Sequence, residues 1–238
     1  MIAYLKLELK RLFRDGGYLI MSLATPLIMY LTFSHLKTAG DGDGVYSMVG
    51  LAGFGALGAA LTNGAGLAED RALGWLRQLR LMPLTPAQVV TARALTGMVV
   101  ALPPILAVCA AGAFINGVEL SPLRWVGIIG ALWIGVAPIA ALGLAVGYRL
   151  NAQPAQATSA TAYMGLSLLG GLWVPLSQMP GWVSTVGHWT PTYRYADLGW
   201  RIADGHLPLP TGLGVIGLWA VVFTGLAIAA YRHGARTV

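Results

Sequence analysis

Six charged side chains, Glu69, Asp70, Arg71, Arg77, Arg80 and Arg93, gather in one stretch of a chain otherwise nearly free of charge. Elsewhere the usual carriers of chemistry are missing or scattered. No G-x-x-x-x-G-K-[ST] occurs, and the three lysines, Lys6, Lys10 and Lys37, stand in no such context. The chain is therefore not its own P-loop ATPase. Neither H-E-x-x-H nor G-x-S-x-G is present, and His35, His188, His206 and His233 lack metal-ligand spacing. No acidic residue falls well inside an apolar run. Ion-coupled carriers and charge-selective channels usually need ionisable groups there, so both classes are disfavoured. The lone Cys109 lies in an apolar run and reads as a buried structural thiol. No metal and no cofactor is expected on this chain, and a net charge of +6 over 238 residues is too small to point to nucleic acid.

The elements that position these residues follow from composition. Hydrophobic residues make up 56% and charged residues 10%, against roughly 25% charged in soluble domains. So much apolar surface implies lipid as the solvent. Six runs suit a span of about 20 residues: Tyr18 to Leu36, Val45 to Leu67, Ala94 to Ile115, Trp125 to Tyr148, Ala157 to Leu176 and Gly212 to Tyr231. Lipid forces the backbone to satisfy its own hydrogen bonds, so the spans are helices and the fold class is an all-α integral membrane protein. With both termini cytoplasmic, 11 of the 15 Lys and Arg residues fall on the inner side, as the positive-inside tendency requires. Residues 1–16 place Ile2, Leu5, Leu9 and Leu12 at helical spacing, with Lys6, Lys10, Arg11 and Arg14 largely elsewhere. This pattern predicts an amphipathic helix in the cytoplasmic interface. The 238 residues read as one transmembrane domain.

Two segments between spans carry pattern. Across Glu69 to Met82, Ala72, Trp75, Leu76, Leu79 and Met82 share one arc of the helical wheel, away from Arg71, Arg77 and Arg80. Pro83 helps end that helix, and Thr85 with Pro86 can start another leading through Arg93 into span three. Residues 69–93 are thus expected to form a cytoplasmic helical hairpin, either anchoring two spans or docking a soluble partner. Residues 177–208 are too broken by Pro and Gly to span, yet hold Trp182, Trp189 and Trp200 close to Trp173, with Tyr193 and Tyr195. Aromatic rings favour the headgroup level, so this segment is expected to form short re-entrant helices on the outer face.

These two segments resemble type-2 ATP-binding-cassette (ABC) transporter permeases of the drug- and polysaccharide-exporter class. The first match runs through Glu69, Asp70, Gly74, Leu76, Leu79 and Pro83, with Trp75 and Arg77 where the family often has other residues. The second runs through Pro175, Met179, Pro180, Gly181, Trp182, Pro191, Thr192, Tyr193, Asp197 and Arg201. The resemblance covers the whole chain. It implies two permease copies or relatives, two ABC ATPase subunits that bring ATP and Mg, and residence in a bacterial cytoplasmic membrane. Glu69 to Met82 would couple to the ATPase, with Glu69, Asp70, Arg71, Gly74, Trp75, Leu76, Arg77, Leu79, Arg80 and Pro83 at the contact. The pathway would run between permeases beside spans one, two and five. Its candidate lining is Ser22, Thr25, Tyr30, Thr62, Asn63, Thr158, Ser159, Thr161, Tyr163 and Ser167; hydroxyls bonded within or between helices are the alternative for each. Met179, Pro180, Trp182, Trp189, Tyr193, Asp197 and Arg201 would form an external gate or a plain aromatic anchor. The expected cargo is a hydrophobic or amphipathic compound, such as a drug, antibiotic, lipid or peptide-like molecule. A lipid-modifying membrane enzyme is an alternative that would need clustered polar catalytic groups near one interface. A non-transporting sensor or assembly partner is the other.

Overall fold

A computed structural model describes residues 16–35, 44–72, 86–207 and 209–234. Residues 1–15 of the expected interfacial helix (1–16) and residues 73–85 of the expected hairpin (69–93) lie outside these. The described residues form α1 (Gly16–His35), α2 (Val45–Ala72), α3 (Pro86–Phe114), α4 (Pro122–Gly135), α5 (Ala137–Arg149) and α6 (Ala152–Leu169). A 3-10 turn (Leu176–Gln178), α7 (Gly181–Gly187), α8 (Pro191–Ala203) and α9 (Pro210–Gly234) follow. Prolines start four of these helices: Pro86, Pro122, Pro191 and Pro210. At the first helical position the missing N–H would have no partner anyway, and the fixed φ suits the helix.

Among the described residues, four stretches are long and apolar enough to cross a membrane: Val45–Ala72, Gln88–Phe114, Pro122–Arg149 and Pro210–Arg232. Three expectations shift. Span four is interrupted between α4 and α5, where Pro138 has no N–H to give the Ile134 carbonyl one turn back. Span five, expected over 157–176, is instead the helix Ala152–Leu169. Gly170 and Gly171 end it early, and Gly171 turns the chain with φ +65°, a conformation glycine adopts without strain. Finally, α2 continues to Ala72, so Glu69, Asp70 and Arg71 form its last turn rather than opening a separate hairpin.

Helix α2 is the hub and packs against α1, α3, α5, α6 and α8. In lipid, close van der Waals packing and interhelical hydrogen bonds hold helices together, and small residues permit it. Gly64 of α2 lies against the backbone of Gly143, and Gly147 against the Gly64 carbonyl, so a β-carbon at Gly64 or Gly147 would overlap main chain, and one at Gly143 would crowd the Ala60 carbonyl at 3.0 Å. Pro26 of α1 and Pro104 of α3 both rest on Gly55 of α2. Met48, Leu51, Phe54, Leu57, Ile105, Ile128, Leu132 and Ile139 fill the core around this hub. Helix α9 lies against α5 through Leu144, Tyr148, Ala227 and Ala230, and exposes Leu213, Leu218, Val221 and Leu226, as a helix facing lipid would.

Candidate functional site

Helices α1, α2 and α6 border a partly enclosed groove of about 210 Å³ lined by Ser22, Thr25, Pro26, Gly55, Gly58, Ala59, Thr62 and Tyr163. Each helix supplies a different part. Polar Ser22 and Thr25 of α1 sit one turn apart. Gly55, Gly58, Ala59 and Thr62 recur at helical spacing along one side of α2, giving a floor of small residues. Tyr163 of α6 closes one wall: its ring stacks on Phe54 at 4.4 Å with 15° between planes, and lies so close over Gly58 that a β-carbon there would stand 2.8 Å from the ring. Phe54 in turn meets Trp173 edge-on at 5.3 Å. The wall is therefore an ordered aromatic stack, opposed by hydroxyls, with no charged side chain in the lining.

Of the ten residues expected along a pathway, the structure brings Ser22, Thr25, Thr62 and Tyr163 together at this groove. Thr158 and Thr161 lie on the exposed face of α6, the Thr161 hydroxyl donating to the Ala157 carbonyl at 2.9 Å. Ser167 is fully buried and donates to the Tyr163 carbonyl at 2.5 Å. Ser159 is also buried, and its Oγ finds no partner among the described residues. Tyr30 is enclosed beside Met48 and Gly112, and Asn63 lies beside Gly97 of α3; neither lines the groove.

At one end of the bundle, three consecutive residues of α2 reach three different helices. Asp70 Oδ2 accepts from Arg93 Nη2 of α3 at 3.1 Å in a buried ion pair. Arg71 Nη1 donates to the carbonyls of Gly147 at 3.0 Å, Tyr148 at 2.6 Å and Leu150 at 3.3 Å. Those carbonyls close α5, whose last turn leaves them without intrahelical partners. Glu69 Oε1 accepts from Gln156 Nε2 of α6 at 3.2 Å on the exposed surface. The remaining expected contact residues, Gly74, Trp75, Leu76, Arg77, Leu79, Arg80 and Pro83, lie outside the described residues.

At the opposite end, α7 and α8 fold back onto the bundle. Thr190 caps α8 by accepting from the Tyr193 amide at 3.2 Å, and Thr192 donates to the Leu166 carbonyl of α6 at 2.8 Å. Tyr195 is fully buried and donates to the Gly53 carbonyl of α2. Trp200 stacks on Tyr46 at 4.3 Å and donates to its carbonyl at 3.1 Å. Among the expected gate residues, Asp197 accepts from Arg201 Nε at 3.1 Å, and Tyr193 lies between His188 and Trp200. Trp182 and Trp189 are largely exposed. Pro180 precedes α7, and Met179 follows the 3-10 turn.

A family model for ABC-2 type transporters matches residues 1–198. The chain belongs to that family. A Bacillus subtilis (strain 168) protein named "Putative transport permease YvfS" is 29% identical over 208 residues, covering 84% of each chain. An ABC-2 member with these apolar helices is a multi-pass membrane component of an ABC transporter, and the family implies an ABC ATPase as its partner.

Several contacts in this ABC-2 chain were not evident from sequence. Arg93 stood out as a charge, but its pairing with Asp70 depends on how α2 and α3 lie together. Phe54, which braces the groove wall, carries no signal in the sequence pattern, and Tyr195, which ties α8 to α2, is expected there only as one of the clustered aromatics. Helical spacing on α8 offered a signal for Tyr195: Thr192, Tyr195, Ala196 and Gly199 fall on one face, and all four are buried.

Proposed function

We propose that the chain is the permease subunit of an exporter that moves a hydrophobic or amphipathic compound, driven by ATP hydrolysed on two separate ABC ATPase subunits. The groove between α1, α2 and α6 carries this reading. Its lining combines an aromatic wall, hydroxyls and small residues without a charge, which suits an apolar body with a few hydrogen-bonding groups. At about 210 Å³ it falls below the roughly 300–1,000 Å³ of small-molecule sites, as expected if a second copy or relative supplies the opposing wall. The outward face of α6 supports that: Gln153, Gln156, Thr158 and Thr161 are exposed there beside Met164 and Leu168, where α9 exposes mainly leucines and valines. Drugs, antibiotics, lipids and peptide-like molecules are the cargo classes that fit.

The chain crosses the membrane six times, α1 and α6 included, with both termini cytoplasmic and α7–α8 re-entrant on the outer face. Eleven of the 15 Lys and Arg residues then lie inside. ATP and Mg bind the partner, and residues 73–85 dock on it. Export rather than import follows the exporter class that the sequence resembles.

Tagged protein extracted in mild detergent should bring down a P-loop ATPase, and Leu76→Asp with Leu79→Asp should release it. Absence of any ATPase from the wild-type preparation overturns the reading. In reconstituted vesicles, ATP should drive uptake of an apolar dye but not of a small membrane-impermeant ion; equal transport of both overturns the cargo class.

A further inference from the structure

Arg194 is a cation without a matching charge. Its Nε is buried and finds no partner among the described residues. It belongs to neither the Asp70–Arg93 nor the Asp197–Arg201 ion pair, although Asp197 stands one turn along the same helix. Its guanidinium carbon lies 5.7 Å from the Tyr193 ring centroid, a contact that leaves its charge uncancelled. It also sits near the N-terminus of α8, where the helix dipole adds positive charge.

The depth of this cation sets it apart. Helix α8 runs from within the bundle towards its end. Trp200, late in α8, bonds to Tyr46 at the start of α2. Tyr195 instead reaches Gly53, which lies about 12 Å along α2 from Val45. Just before α8, the Trp189 carbonyl accepts from Trp219, about 13 Å into α9. Arg194 adjoins Tyr195, so it lies level with the apolar body of both spans rather than with their ends. The face of α8 that carries Thr192, Tyr195, Ala196 and Gly199 is buried, and helical spacing turns Arg194 away from it. A charge at membrane depth is costly and is kept where it has a partner. Deeper than Arg194, Trp182, Val186 and Trp189 recur at helical spacing and are exposed.

We infer that Arg194 binds the phosphate of a phospholipid, drawn in beside α8, with an acyl chain lying along Trp182, Val186 and Trp189 towards the midplane. The guanidinium fork matches phosphate oxygens, and the anion offsets both the unpaired cation and the α8 dipole. Arg201 stays with Asp197. Hydrocarbon depth and exposed indoles favour a lipid over soluble phosphate. Only the naming of the leaflet as the outer one rests on the orientation proposed above.

Native mass spectrometry of the full chain, delipidated in detergent, reads occupancy directly. Wild type should take up a first phosphatidylglycerol well ahead of further copies. Diacylglycerol, which lacks the phosphate, and glycerol phosphate, which lacks the chains, should not replace it. Arg194→Gln should weaken the first binding about tenfold, as loss of a charge-assisted hydrogen bond does. Arg194→Lys should fall between, and it stands in if the Gln variant does not fold. Arg232→Gln removes an exposed arginine at the far end of α9 and should change nothing. Equal binding of diacylglycerol would leave the surface to acyl chains alone, and equal binding of glycerol phosphate would make it a soluble-anion site. Undiminished phosphatidylglycerol binding in both Arg194 variants would move the lipid elsewhere. Each of these overturns the inference. Co-purification of the ATPase reports on the permease reading separately, so the two failures are told apart.

Discussion

Asp70 and Arg93 bury opposite charges between α2 and α3, with side chains only 12% and 3% exposed. Removing one partner of such a pair leaves the other charge buried and less well compensated, at about 3–5 kcal/mol. Asp70→Ala and Arg93→Ala should each lower thermal stability in detergent by that order, and replacing both by apolar residues of similar volume should recover much of the loss. A double-mutant cycle on the melting transition checks this; additive losses would show that the pair is not coupled. Gln156→Ala is the contrast. Its bond to Glu69 is exposed, so the change should stay within about 0.5 kcal/mol. Tyr195 separates ring from hydroxyl in the same way. Tyr195→Phe removes the donor to Gly53 and should cost about 1 kcal/mol, whereas Tyr195→Ala empties a fully buried ring site and should cost about 3–5 kcal/mol.

Between elements, the glycines of α2 divide by what faces them. A β-carbon at Gly64 would overlap the Gly143 backbone, while one at Gly66 would meet nothing within 4 Å. Gly64→Ala should therefore force α2 and α5 apart and destabilise by about 1–3 kcal/mol. Gly66→Ala should instead stabilise by up to roughly 1 kcal/mol, since alanine is the better helix former. Matched thermal melts decide it, and equal effects at the two positions would mean that the α2–α5 approach is looser than the packing indicates. Much at this scale was legible beforehand. The small residues of α2 are plain in its sequence, though nothing there names Gly143 and Gly147 as what they meet. Four of the six expected spans match stretches long and apolar enough to cross a membrane. Pro138 marks a breaker inside span four in the sequence itself, but the true bounds of α6 were missed, because apolarity measures what a helix faces rather than where its backbone turns. Gly171 ends α6 by its left-handed φ, which no hydropathy window registers.

At the scale of the whole molecule, the exposed faces differ in kind. Helix α9 presents leucine and valine outward, and lipid satisfies that face completely. The outward face of α6 mixes Gln153, Gln156, Thr158 and Thr161 with Met164 and Leu168, and Ser159 beside it is buried with its Oγ unpaired among the described residues. Thr161 and Gln156 bond to Ala157 and Glu69, but amides and hydroxyls against hydrocarbon are unfavourable unless they find partners, so Gln153 and Thr158 favour water or protein beside them. Sequence had named the four residues that meet at the groove, because hydroxyls stand out in apolar runs. It had no means to sort them from Tyr30 or Asn63, whose directions depend on packing against α3. The sorting predicts a labelling pattern. Native Cys109 is buried and can be replaced by Ala to remove background. Single cysteines at Thr158 and Thr161 should then react with a water-soluble maleimide, or cross-link to a second copy, in the assembled transporter. Cysteines at Leu218 and Val221 should do neither, since lipid excludes both the reagent and the thiolate it needs. Nucleotide binding should change the α6 rates if the seam beside α2 opens and closes, and leave the α9 positions silent. Equal protection of α6 and α9 at all stages would place α6 in lipid and remove the argument for a pathway along it.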